Sequence, residues 1–148
     1  MKLQTMKNKL EKILLEANTK IEDLDIGEEE FVIFKVSFDG NEYIEKLRTL
    51  VFALCYEPKD EKLLILVPRL YDFQDEQENM KLKVLNAIND VVSGKVTIDD
   101  KDNALIYEHN LNIPIEKFSK EVIEAIKLDI VIAIATLAKV ILGEDNEE

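Results

Sequence analysis

The segment GKVTIDDKDNALIYEHNLNI, residues 94–113, alternates apolar and polar side chains on both sides of a polar centre. A period of two is typical of strands that bury one face. The centre, Asp99-Asp100-Lys101-Asp102-Asn103, contains the residue types that turns require. The segment therefore predicts an antiparallel β-hairpin, and antiparallel sheets commonly expose one face to water and cover the other with helices.

Two helices are predicted on the N-terminal side of this hairpin. From Leu3 to Ile21, apolar residues recur at intervals of three and four with charged residues between them, which indicates an amphipathic helix. A second helix is expected to begin near Asp75, whose side chain can accept from free backbone N–H groups, while Glu78 completes a capping box. It is expected to end before Gly94, a residue able to adopt the left-handed conformation of helix ends.

The region between these helices predicts strands. EFVIFKVSFDGNEYI, residues 30–44, is rich in β-branched and aromatic residues, and Asp39-Gly40-Asn41 is a turn signal within a hairpin. Residues 43–55 fit either a helical stripe or a strand. The strand is favoured, because LVFALCYE and KLLILVPRL flank a turn that contains Pro58.

The predicted fold is an α+β domain over residues 1–143, followed by a mobile acidic tail over residues 144–148. Three helices pack on an antiparallel β-sheet of about five strands, in the order α-β-β-β-α-β-β-α. The chain of 148 residues is long enough to bury a working core, and no Pro/Gly/Ser-rich linker divides it.

Charge narrows the classes of partner. The net charge is −12, from 19 basic and 31 acidic residues. Such a field repels phosphate backbones and anionic lipid surfaces, so neither nucleic acid nor a membrane is an expected partner. The single Cys55 cannot form an internal disulfide, and the N-terminal segment lacks the uninterrupted apolar centre of a signal peptide. We therefore expect a cytoplasmic protein.

The sequence offers no catalytic signature. His109 and Cys55 are the only residues of their types, so one chain cannot assemble a zinc site from histidine and cysteine ligands. A Cys-His catalytic pair would need the two to meet in space; we interpret His109 as a partly buried strand residue and Cys55 as a small core hydrophobe. The acidic segment 98–104 lacks the spacing and central glycine of an EF-hand loop. We predict no enzyme activity, catalytic residue, cofactor or metal.

The last helix raises the main functional question. Its core face is predicted to comprise Val122, Ile123, Ile126, Ile130, Ala133, Ile134, Leu137, Val140 and Ile141. On the opposite face, Lys120, Glu121, Glu124 and Lys127 are expected to be solvated, but later turns are apolar. The predicted partner-binding residues on these turns are Leu128, Val131, Ile132, Ala135 and Leu142. Either the first helix or a strand end of the same chain covers them, or a second polypeptide does.

Three segments of the chain are FKVSFDGNEYI, KLLILVPRL and VLNAINDVVSGKVTIDDKDNALIYEHNLNIP, and a long apolar C-terminal helix follows them. In these segments the chain resembles a known family, the YbjN-like bacterial sensory transduction regulators, which share the fold of class I type III secretion chaperones. The resemblance implies a non-enzymatic, homodimeric module that binds segments of an unidentified protein client. The alternative function is a small-molecule sensor or carrier domain with an apolar pocket between sheet and helices.

Overall fold

The computed structural model describes residues 3–26 and 31–146. Its helices are α1 (Leu3–Glu16), α2 (Glu78–Asn89) and α3 (Lys120–Asn146), and its strands are β1 (Lys20–Ile26), β2 (Val32–Asp39), β3 (Thr49–Glu57), β4 (Lys62–Asp72), β5 (Lys95–Asp99) and β6 (Ala104–Asn112). The sheet has the order β1-β2-β3-β4-β6-β5, and every neighbouring pair is antiparallel. The α+β class is confirmed, with six strands rather than about five.

The additional strand is β1, of which the sequence pattern assigns Lys20 and Ile21 to the first helix and the acidic residues that follow to a solvated charge run. Helix α1 ends at Glu16, because Asn18 takes a left-handed conformation with φ 58°. Thr19 then caps the helix, its backbone N–H and its Oγ1 both donating to the carbonyl of Leu14 at 3.2 and 2.6 Å. Ile21 therefore lies in β1. A register shift after Ile21 disrupts the regular alternation that would have identified this strand.

The connection between β2 and β3 is longer than predicted. A 3₁₀ turn over Gly40–Glu42 follows β2, and its Asp39 side chain accepts from the N–H of Asn41. The chain returns to the sheet only at Thr49, so Tyr43 and Ile44 are not strand residues. The preference for strands around Pro58 is confirmed, because β3 and β4 pair across a turn at residues 58–61.

Helix α2 begins three residues later than predicted, and Asp75 does not cap it. The residue before the helix is Gln77, whose side chain makes no capping hydrogen bond. Glu76 instead stabilises the preceding turn, because its carboxylate accepts from the Gln74 N–H at 2.6 Å and from the Tyr71 hydroxyl at 2.8 Å. The helix ends before Gly94, as predicted. The hairpin over residues 94–113 is also confirmed, and Asn103 in its turn has φ 54°.

The core lies between one face of the sheet and the helices. Most buried strand residues project from this face, because alternate residues along a strand point the same way. They are Val32, Phe34, Val36, Phe38, Leu50, Phe52, Leu54, Tyr56, Leu63, Ile65, Val67, Val96, Leu105 and Tyr107. On α3, Ile123, Ile126, Ile130, Ala133 and Leu137 are buried, in agreement with the predicted core face.

Helix α3 contains most of the C-terminal region. It continues to Asn146 and so includes residues 144–146 of the predicted tail, while residues 147–148 lie outside the described part of the chain. The acidic run at residues 27–30 also lies outside it. Within the described residues, neither α3 nor a shorter helix combines the length and the apolar character that crossing a membrane requires.

Candidate functional site

The five predicted partner-binding residues on α3 differ in accessibility. Leu128 and Leu142 are 47% and 61% exposed, Ala135 is exposed, and Ile132 is half-buried. Val131 is only 4% exposed and belongs to the chain's own core, so its assignment to a partner surface is wrong. The error has a geometric cause, since Val131 lies one helical turn after Lys127, on a flank of α3 that the chain itself covers. Four of the five residues remain available to a partner.

One set of accessible residues on α3 forms a continuous seam. They are Ala125, Leu128, Ile132, Ala135, Lys139 and Leu142, and we call this set the α3 stripe. Their spacing alternates between three and four residues over the whole set, which is the heptad pattern of helices that pair with one another. The stripe spans about 26 Å, since an α-helix rises about 1.5 Å per residue. Lys139 is its only charged member.

Lys127, which was predicted to be solvated, is instead buried. Its side chain is 1% exposed, and its Nζ donates to the carbonyl of Ala17 at 2.8 Å and to Oε1 of Glu42 at 2.5 Å. Nζ also lies 5.3 Å from the centroid of the Phe38 ring and 5.5 Å from that of Tyr43. These contacts connect α3 to the end of α1 and to the 3₁₀ turn. The first helix therefore does cover part of the outer surface of α3, although it leaves the α3 stripe open.

A second polar cluster surrounds Asp129, one turn from the start of the stripe. Its carboxylate accepts from the backbone N–H groups of Ser93 and Gly94 at 2.8 and 2.9 Å, and from the Tyr107 hydroxyl at 2.6 Å. Burial first and then this bond to Asp129 raise the pKa of Tyr107. A Cβ atom at Gly94 would lie 2.8 Å from the carbonyl oxygen of Glu108, so this position needs glycine for space. Asp129 thus holds the α2–β5 connection against α3.

His109 extends this cluster. Its Nδ1 lies 3.3 Å from the Tyr107 hydroxyl oxygen and 3.9 Å from Oδ2 of Asp129. The proton of Tyr107 is used in the short bond to Asp129, so Nδ1 must be the donor in the contact with the Tyr107 oxygen. The remaining ring nitrogen, Nε2, is then the atom available to a ligand. His109 is half-buried on its strand, as predicted, but it belongs to a polar network that the sequence had not indicated.

An open cavity of about 510 Å³ adjoins this network. It lies between the inner face of β6, the connection that follows β6, and the first half of α3. Its apolar lining consists of Leu111, Ile113, Pro114, Val122, Ala125 and Ile126, and its polar lining of Ser93, His109, Asn112, Lys117 and Asp129. The α3 residues follow the spacing of a single helix face, since they lie three, four and seven positions before Asp129. The volume is within the range of small-molecule sites.

Cys55 and His109 cannot form a catalytic pair in this fold. Cys55 pairs in register with Leu64, whereas His109 pairs with Ile65, the next residue of β4. Adjacent residues of one strand point to opposite faces, so the thiol lies on the outer face of the sheet and the imidazole on the inner face. Cys55 is half-buried on that outer face, which corrects its assignment to the core. Across residues 3–26 and 31–146, no cluster of His, Cys, Asp and Glu side chains is arranged to hold a metal ion.

The role of Asp129 had a signal in the sequence. On the helical wheel it borders the predicted core face next to Val122, and a buried carboxylate requires hydrogen-bond donors. The donors themselves could not be identified, because Ser93 and Gly94 precede Asp129 by more than thirty residues. A scan against protein-family models finds no match to this chain, and a search of curated proteins finds none either.

Proposed function

We propose that the chain is a homodimeric, non-enzymatic protein-interaction module, of chaperone-like or regulatory type, that acts in the cytoplasm and binds segments of a client protein through apolar surface. The observation that carries the proposal is the α3 stripe, an accessible heptad seam on a helix whose other face is already in the core. Exposed apolar seams of this length are characteristic of interaction sites rather than of solvated helix faces.

A second copy of the chain is the occupant that fits the stripe. In an antiparallel pair centred between Ala133 and Ile134, Ile132 of one copy faces Ala135 of the other, and Leu142 faces Ala125. At these two positions a large side chain is opposed to a small one, which allows the two helices to approach closely. A two-fold axis produces both contacts twice from one self-complementary surface.

Charge favours the same antiparallel arrangement. Lys139, the single cation of the stripe, is placed opposite Leu128 of the second copy, within one helical turn of that copy's Glu124. Glu124 is exposed, and a Lys–Glu pair there satisfies the one charged side chain that an apolar seam would otherwise desolvate. A polar residue at one seam position also specifies the register of paired helices.

The size of the contact requires surface beyond the stripe. About 26 Å of helix that is roughly 10 Å wide projects to about 260 Å² on each copy. A stable interface buries about 1,000 Å² in total or more, so flanking side chains must contribute. Grooves adjoin the stripe on both sides, one reaching α2 at Ala87 and Val91, and the other reaching Tyr43. Val91 is an exposed apolar residue that a second copy would cover.

Sedimentation of the wild type and of A135E tests the dimer. Ala135 is exposed at the centre of the stripe, and glutamate is a good helix former, so the substitution leaves the chain folded while placing two carboxylates near the two-fold axis. We expect a dimeric wild type and a monomeric A135E. Two exposed leucines on helices form a matched pair of variants. L142E places a charge in the stripe and should weaken the dimer, whereas the control L15E places the same charge outside the stripe and should not. A monomeric wild type, or an A135E protein that remains folded and dimeric, would contradict the proposal.

The client-binding part of the proposal rests on the resemblance to YbjN-like regulators and type III secretion chaperones, together with the absence of a catalytic signature in the sequence. Affinity purification from the native cells, with tagged wild type, A135E and L15E compared side by side, tests it. We expect a protein partner recovered in near-stoichiometric amounts with the wild type and L15E. Turnover of a small molecule that is lost on substitution of His109 would instead favour an enzyme.

A further inference from the structure

We propose that the cavity beside His109 binds a small amphipathic monocarboxylate, such as a medium-chain fatty acid, an activity distinct from the pairing of two chains through α3, with Ala125 common to the cavity lining and the α3 stripe. The first ground is shape. The cavity of about 510 Å³ lies between sheet and helix, and six of its eleven lining residues are apolar. Cavities of this size with an apolar wall and a few polar groups are typical of sites that enclose a small ligand.

The second ground is the charge that remains available to a ligand. Three titratable side chains line the cavity, namely Asp129, His109 and Lys117. Both carboxylate oxygens of Asp129 already accept hydrogen bonds, from two backbone N–H groups and the Tyr107 hydroxyl. The Asp129 carboxylate is therefore occupied within the protein and recognises no cation in the cavity.

Lys117 differs in this respect. Its ammonium group has neither an ion pair nor a hydrogen bond within the part of the chain that the structure describes, although 31 acidic residues are present in the sequence. A lysine beside an apolar cavity can neutralise the carboxylate of a ligand whose hydrocarbon part lies against Val122 and Ile126. The Asn112 side-chain amide, in the same lining, can donate a further hydrogen bond to this carboxylate.

The third ground is the rigidity of the polar wall. His109 is oriented through Tyr107, and Tyr107 through Asp129, which also fixes the Ser93–Gly94 backbone. This polar part of the cavity wall is thus positioned before a ligand enters, and pre-organisation of this kind lowers the entropic cost of binding.

Calorimetric titration with decanoate, below its aggregation concentration and at neutral pH, tests the site. We expect saturable binding of one decanoate per chain and at least roughly tenfold weaker binding of decan-1-ol, because the alcohol cannot form a charge-assisted hydrogen bond with Lys117. K117M keeps the aliphatic stem and should weaken decanoate binding by a similar factor. K59M is the matched control, since Lys59 is an exposed lysine in the β3–β4 turn, away from the cavity.

The location is tested by NMR on the same samples. Decanoate should shift the amide resonances of Ser93, Gly94 and residues 109–117, and V122F should abolish binding of decanoate and decanol by filling the cavity. The assignment of a carboxylate site to this cavity would be overturned by any of four results. These are no binding of decanoate, equal binding of decanoate and decanol, unchanged decanoate binding by K117M, or resonance shifts confined to the α3 stripe. Sedimentation of these samples reports pairing independently, so failure of one proposal is distinguishable from failure of the other.

Discussion

The Nζ atom of Lys127 in α3 lies 2.5 Å from Oε1 of Glu42, a residue 85 positions earlier in the chain. The lysine is buried while the glutamate side chain remains about one-third exposed, so this pair lies at the edge of the core. Because Nζ also donates to the Ala17 carbonyl, one side chain connects the end of α1, the 3₁₀ turn and α3. This connection buries Lys127 on one flank of α3 and leaves the α3 stripe open.

Replacing Lys127 should lower the free energy of unfolding in a graded way. K127M keeps most of the side-chain volume but leaves the Ala17 carbonyl without its donor, and we expect a loss of about 1–2 kcal/mol. K127A also removes the buried stem and should lose about 2–4 kcal/mol. Urea unfolding of both variants measures the losses. Stability of K127A equal to that of the wild type would mean that the Lys127 contacts do not stabilise the fold.

Hydrogen exchange should distinguish the structural role of Asp129 from that of Tyr107. D129N preserves shape but removes the charged acceptor of two backbone N–H groups, and we expect a loss of about 1–3 kcal/mol with faster exchange of the Ser93 and Gly94 amides. Y107F removes only the hydroxyl donor, so its loss should be about 1 kcal/mol with those two amides still protected. Equal protection of the amides in D129N and the wild type would contradict the anchoring role.

Two tyrosines should make the fold sensitive to alkali. Burial, followed by the hydrogen bond to Glu76, raises the pKa of Tyr71 from 10.0 to about 12, and burial together with Asp129 raises the pKa of Tyr107. Between about pH 10 and pH 12 the unfolded chain has lost these phenolic protons while the folded chain keeps them, so stability falls as pH rises. Thermal unfolding across this range should show a shallower decline in Y71F and Y107F than in the wild type. An identical decline in all three proteins would refute the attribution of the alkaline sensitivity to Tyr71 and Tyr107.

Reversing charges should test the antiparallel pairing of α3. K139E places a carboxylate within one turn of Glu124 of the second copy and should weaken the dimer at least roughly tenfold, an effect that is larger at low salt. E124K combined with K139E restores opposite charges and should recover most of the affinity. Sedimentation equilibrium of the single and double variants forms a double-mutant cycle. Additive losses without recovery would exclude this register.

The Cys55 thiol should react slowly. Burial first, and then the charge of Glu57, raise the pKa of Cys55, so little thiolate is present near pH 8. We expect alkylation roughly tenfold slower in the folded protein than in urea. C55A should remain dimeric, because the thiol lies on the outer face of the sheet rather than on α3. If Cys55 in the folded protein reacts as fast as in the unfolded chain, the fold does not protect this thiol from alkylation.

The strongly periodic segments determined the fold class without any structural information. The hairpin over residues 94–113, the strands on either side of Pro58 and the core face of α3 each repeat a pattern that local geometry imposes, and each is confirmed. Errors occurred where a single residue changed the pattern. The left-handed Asn18 ended α1 early, and the register shift after Ile21 concealed β1.

Long-range contacts were decided only by the tertiary structure. A helical wheel places Lys127 and Val131 on one flank of α3, next to Leu128, but it does not show that the packing of the chain buries the first two and leaves Leu128 exposed. Likewise, the wheel places the Asp129 carboxylate at the border of the core face without identifying its donors. Periodicity indicates in which direction a side chain points from its own helix or strand. Burial depends instead on which distant segments pack against that side chain, and this packing is determined by the whole chain.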